Sequence, residues 1–295
     1  MFPKFRFPIK GLAVMIVVFL TAAACSPPDV CVDGPPPTTE GAGATGDADE
    51  SSANESEPDT ESVTDQTGRI TDGLVTLYNF EEGSGDQVTD SAGGHDLTIA
   101  DPDAVEWLDG ALNINTATVI TSPEPPVAMI DGASTSGELT VEAWIETNDL
   151  EQSGPARIVS ISGDRQNRNF TVGQGVHGST GNFLDVRLRS TDTDDNGTPS
   201  LASPDGVLTT ALTHIVATRS SDGTTRLYFD GALESTGSAG GDLSNWDDSY
   251  RLLLGNETSN DRPWIGTLHL VALYDRALSE ADVAQNFDSG LTTQG

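Results

Sequence analysis

Leu139-Thr140-Val141-Glu142-Ala143-Trp144-Ile145-Glu146 repeats with a period of two. Val141, Ala143 and Ile145 form an apolar row, and Thr140, Glu142, Trp144 and Glu146 form the other. Successive side chains leave a pleated strand on opposite sides, so this pattern predicts a strand with two unlike faces. The apolar row faces a core. The other row sets one indole between carboxylates, which is a platform for a sugar ring and equally what a strand covered by a loop presents.

Working outward, the same patterning predicts strands at Leu74–Phe80, Asp96–Ile99, Ala111–Ile114, Ala156–Ser162, Asn169–Gly173, Phe183–Arg189, Thr213–Arg219, Arg226–Asp230, Tyr250–Leu254 and Trp264–Tyr274. Turn pairs punctuate them: Gly93-Gly94, Asp109-Gly110, Asp131-Gly132, Asn196-Gly197, Asp222-Gly223 and Asp230-Gly231. Asp222-Gly223 joins two strongly alternating runs and predicts a hairpin. Only Ser279–Phe287 reads as a helix, with Ser279 as N-cap and Glu280 and Asp282 in the first turn. Many short strands with glycine turns and one short helix near the C-terminus predict an all-β, two-sheet antiparallel sandwich. Residues 69–295 are expected to form it as a single domain.

The N-terminus reads as an export signal. Lys4, Arg6 and Lys10 precede the apolar run from Gly11 to Leu20, which is too short to span a bilayer. Ala22-Ala23-Ala24-Cys25 then resembles a bacterial lipobox, with Ala22 where that pattern prefers Leu. Residues 1–24 are the expected signal peptide and Cys25 the expected lipidation site. The other reading is ordinary cleavage, leaving Cys25 a thiol able to pair with Cys31, the one other cysteine. Residues 25–68 carry no aromatic residue and few large aliphatic ones, and predict a disordered acidic linker. The expected location is the bacterial cell envelope, lipid-anchored at the outer membrane, or otherwise secreted.

The formal charge is −32, and signal cleavage removes three cations and no acid, leaving about −35 with no lysine. Such a surface repels nucleic acid and anionic headgroups. Nucleic acid is excluded as a partner, and membrane contact is expected only through the N-terminal lipid.

The order of the pieces resembles the laminin-G-like branch of the concanavalin A-like jelly rolls. Gly73–Gly85 with Asp90-Ser91-Ala92-Gly93-Gly94 is similar to that family's opening strand and loop, and Leu139–Glu146 to its tryptophan strand. His214–Arg219 with Leu227–Gly231 is similar to its central hairpin, and Gly266–Ser279 to its closing strand. The resemblance implies a jelly-roll topology and calcium in edge loops, with Glu82, Asp90 and Asp275 as ligands. His269-Leu270 stands where an Asp-Glu pair is common in that family. Thr191–Gly197 is a second acidic loop able to attract a cation.

If the strands at Leu139–Glu146, Phe183–Arg189 and Thr213–Arg219 are neighbours in one sheet, their outward rows place Trp144, Glu142, Asp185, Arg187 and His214 on one concave face. That face is the expected ligand site, for a glycan or a matrix component. The alternative is an arginine–carboxylate network covering the sheet, with Trp144 buried. Glu142 and Glu146 do not reproduce the carboxylate spacing of the laminarinase-type enzymes, and no Gly-x-Ser-x-Gly is present. The expectation is therefore a recognition module without catalysis, the further alternatives being a protein-binding adhesin or a polysaccharide hydrolase.

Overall fold

The computed structural model describes residues 64, 65, 68–176, 178 and 181–291. The signal peptide, Cys25, Cys31, His177 and all of the linker before Thr64 lie outside them. At the linker's end, Thr64 bridges Ile70, Asp65 N donates to the Arg69 carbonyl, and Arg69 N donates to Asp65 Oδ1.

Among the described residues there are sixteen strands. They are β1 (Leu74–Tyr78), β2 (Gln87–Val88), β3 (Leu97–Ile99), β4 (Val105–Leu108), β5 (Ala111–Ile114), β6 (Ile120–Thr121), β7 (Leu139–Thr147) and β8 (Ala156–Ser162). They continue with β9 (Arg168–Gln174), β10 (Leu184–Leu188), β11 (Leu201–Ala202), β12 (Thr213–Arg219), β13 (Thr224–Phe229), β14 (Ala232–Ser238), β15 (Arg251–Leu254) and β16 (Gly266–Tyr274). One sheet runs β14-β13-β12-β7-β16-β5-β4, with β1 also on β16; the other runs β11-β10-β9-β8-β15-β6-β3-β2. Every pairing is antiparallel. The molecule is an all-β sandwich of the concanavalin A type.

The opening strand, β7, lies in the middle of the first sheet. Val141, Ala143 and Ile145 join Ile215, Ala217 and Leu227 against Ile158, Ile161, Phe170, Val172, Leu184 and Val186 of the second sheet. Each large aliphatic side chain buried there contributes about 1.5–3 kcal/mol. The predicted hairpin forms: β12 and β13 pair through a turn in which Gly223 takes φ +83°.

The short strands β2, β4, β6 and β11 were not foreseen, and two further elements also depart from expectation. Asp131-Gly132 is no turn but the middle of a helix, α1 (Val127–Ser136), which buries Met129, Ile130 and Ala133. A Cβ on Gly132 would stand 2.8 Å from the Asp275 side chain, so glycine serves close approach here and not turning. β14 was not foreseen because its residues are polar and largely exposed, as suits an edge strand. The foreseen helix, α2 (Glu280–Ser289), carries a full capping box between Ser279 and Asp282.

Candidate functional site

The five residues expected on one face are divided between the two sheets. β10, with Asp185 and Arg187, pairs only with β9 and β11, whereas Glu142, Trp144 and His214 belong to β7 and β12. The single concave face is therefore corrected to two separate surfaces.

On the first sheet, α2 and the segment before β1 cover the outward row. Trp144 is 7% exposed, and its indole stacks on Phe287 of α2 at 5.6 Å and 8°. His214 lies beside it, ring centroids 4.8 Å apart. Glu142 is fully buried and collects four partners. Arg69 Nη1 donates at 2.5 Å, Asn286 Nδ2 at 2.8 Å and the Tyr274 hydroxyl at 3.2 Å, and His214 Nε2 lies at 3.0 Å. Burial would raise the carboxyl's pKa; Arg69 and His214 outweigh it and hold Glu142 at about 2. This is the arginine–carboxylate network, roofed by a helix, and a sugar has no access to Trp144.

The second sheet has a polar outer face whose central side chains, Arg157, Ser160, Thr171 and Asp185, are themselves buried. Cross-strand register aligns Arg157 of β8, Gly173 of β9 and Asp185 of β10 in one row, and Ser160, Thr171 and Arg187 in the next. Beneath the flanking loops these side chains bond to one another. Ser160 Oγ and Thr171 Oγ1 are 2.8 Å apart, and Ser162 Oγ donates to the buried Glu257 at 2.9 Å. Arg157 Nε donates to Glu257 at 3.3 Å, and Arg187 Nε to Asp185 at 2.6 Å. Above them lies a groove of about 350 Å³ lined by Pro155, Arg157, Arg165, Gln166, Arg187, Asn196 and Arg262. Two buried atoms beneath it have no hydrogen-bond partner, Arg168 Nε and Asp185 Oδ1. Buried polar atoms are nearly always paired, so these two, one donor and one acceptor, are able to take a further partner, a ligand or an ordered water.

Arg187 thus lines this groove and Asp185 bonds to it from beneath, whereas Trp144, Glu142 and His214 take no part in it. The sequence reading missed Arg157, Arg165, Gln166, Arg168, Asn196 and Arg262. The signal for Arg157 was the same alternation, since Ala156 and Ile158 flank it as core residues. The loop residues carry no local signal.

The calcium ligands do not assemble. Both Asp90 oxygens are taken by backbone N–H groups, of Leu77 and Ala92 on one and His95 on the other. Glu82 Oε1 accepts from Thr89 N. Asp275 packs against Gly73 and Gly132. In the second acidic loop, Asp194 Oδ1 accepts from Asn196 N and Thr198 N, and Asp195 pairs with Arg189. Among the described residues no three His, Cys, Asp or Glu side chains stand together as a metal site, so the residues present do not fit the calcium that the resemblance implies.

Two packed antiparallel sheets with a polar outer face define a lectin-type β-sandwich. The sequence profile of the concanavalin A-like lectin/glucanases superfamily matches residues 118–284, more than half of the 295. The chain belongs to that superfamily. No curated protein is similar to it in sequence. Among solved structures, Trypanosoma rangeli sialidase in complex with sialic acid is similar in fold, with a TM-score of 0.54 and 18% identity over 75% of this chain and 34% of the sialidase. Botulinum neurotoxin type C, whose cell entry depends on two ganglioside molecules, superposes with a TM-score of 0.53 and 14% identity over 75% of this chain and 52% of the toxin chain. The binding domain of botulinum neurotoxin DC in complex with rat synaptotagmin II gives 0.52 at 14% identity, over the same shares of the two chains. The chain spans about a third of the sialidase and half of the toxin chains. The expectation of a protein without catalysis does not stand: sialidases are among the similar folds. At these identities the likeness carries the fold and no reaction.

Proposed function

We propose that the domain binds carbohydrate in the groove on the outer face of β8, β9 and β10. The observation that carries this reading is the groove's lining. Six of its seven residues offer side-chain hydrogen bonds, and two orphaned polar atoms lie beneath. A sugar presents a dense set of hydroxyl donors and acceptors, which such a lining matches. Superfamily membership and the ganglioside dependence of the toxin support it. The partner is a glycan, free or on a cell-surface or matrix component, met by an exported protein held at the envelope through Cys25.

A glycan array, repeated with Arg187→Ala, tests the site. Binding that is lost in the variant while its circular dichroism is unchanged is the expected result. Binding unaffected by Arg187→Ala would move the site elsewhere. Released sugar is measured on the same panel, which reads hydrolysis directly. For the anchor, labelling with a radioactive fatty acid should mark the wild type and not Cys25→Ser.

A further inference from the structure

Residues 69–295 contain eleven cations, all arginine, in a chain with 46 acidic residues. Four of the eleven line this one groove, and no carboxylate lines it. The nearby acids are each paired with guanidinium groups: Glu257 with Arg157, Asp185 with Arg187, and Asp261 with both Arg165 and Arg262. Arg187 is held by its Nε alone, which leaves both terminal nitrogens without a partner among the described residues.

Beneath the groove, Arg168 is fully buried and makes no salt bridge among the described residues. Its Nη1 reaches Thr171 Oγ1 at 3.5 Å, its Nη2 donates to the Arg165 carbonyl, and its Nε is unbonded. A buried cation with no direct salt bridge is costly, and the nearby charges of Glu257 and Asp185 offset only part of that cost. Burial, reinforced by the charges of Arg157 and Arg187, lowers its pKa to about 9. The sheet therefore holds a positive potential under a groove whose mouth is also cationic.

Resting on the carbohydrate reading, we propose that the saccharide is acidic, and that its anionic group lies in the groove against the free end of Arg187, over Arg168. Planar guanidinium forks bind carboxylate and sulfate oxygens through charge-assisted hydrogen bonds. No aromatic ring lines the groove for stacking, so charge takes the place of a platform.

Titration calorimetry of the whole protein at low salt distinguishes the cases. The probes are a uronic-acid oligosaccharide, a sialylated lactose, a sulfated oligosaccharide and the neutral counterpart of each. The expected result is at least tenfold tighter binding of a carboxylated or sulfated member than of its neutral counterpart, weakening as sodium chloride is raised. Arg187→Gln should abolish the preference. Arg168→Gln, which keeps a polar side chain, should reduce it several-fold with the melting temperature retained; if that variant does not fold, Arg187→Gln and the salt series decide. Equal affinity for acidic and neutral members overturns the acidic ligand and leaves the carbohydrate reading standing. No binding by any probe overturns both.

Discussion

Glu142 shows what a single residue can and cannot disclose. Its outward direction follows from period two, and the sequence reading had it. What it meets does not follow, because Arg69 and Asn286 lie 73 and 144 positions away. Replacing it with Gln leaves Arg69 buried without its counter-charge, which should cost about 3–5 kcal/mol in urea unfolding. The carboxyl titrates at about 2 in the fold against an ordinary 4.5. A depressed pKa stabilises the fold fully above about 4.5, and that stability is lost as pH falls toward 2. Stability of the wild type should therefore drop steeply across that window, and Glu142→Gln should show a flatter profile; parallel profiles would mean that Glu142 is uncharged in the fold. At Gly132 a Cβ meets Asp275 at 2.8 Å. Gly132→Ala should accordingly destabilise by about 1–3 kcal/mol despite its better helix propensity, as a thermal melt would show.

Elements were legible where their signal is local. Ser279 and Asp282 declared the start of α2 because a capping box needs only four residues. Ser279→Ala should lower stability by about 1 kcal/mol, measured by chemical denaturation. α1 was hidden because its Asp-Gly pair mimics a turn, and β14 because a polar edge strand resembles a loop. The role of α2 as a roof was also beyond the sequence. Phe287→Ala should open that roof and shift Trp144 fluorescence to the red; an unchanged spectrum would show that the helix does not shield the indole.

At the scale of the molecule, alternation identified the strands but not their allocation to sheets. The ten residues of Phe183–Arg189 and Glu142–Trp144 carry no mark that β10 belongs opposite β7; the antiparallel ladder of β8, β9 and β10 decides it. One lining residue of the groove was therefore readable, Arg187, with its partner Asp185, while the loop-borne arginines were not. The net charge of −32 acts on the whole surface. Self-repulsion destabilises the compact state and salt screens it, so the melting temperature should rise as sodium chloride increases from about 0.01 to 0.5 M. A flat response would mean that the acids are already locally compensated.

The clasp at Glu142 also has a mechanical meaning. Arg69 grips Glu142 and the Gly290 carbonyl, and Ile70 N donates to the Asn286 side chain. A pull on the chain upstream of Arg69 is therefore delivered at once to the C-terminal end of α2, through Asn286 and the Gly290 carbonyl, and to Glu142 of β7. The helix should peel away as an early, small extension in single-molecule pulling, and the sandwich should yield only at higher force. The clasp would act as a mechanical fuse that bares Trp144 under load while the arginine groove on the opposite sheet stays intact.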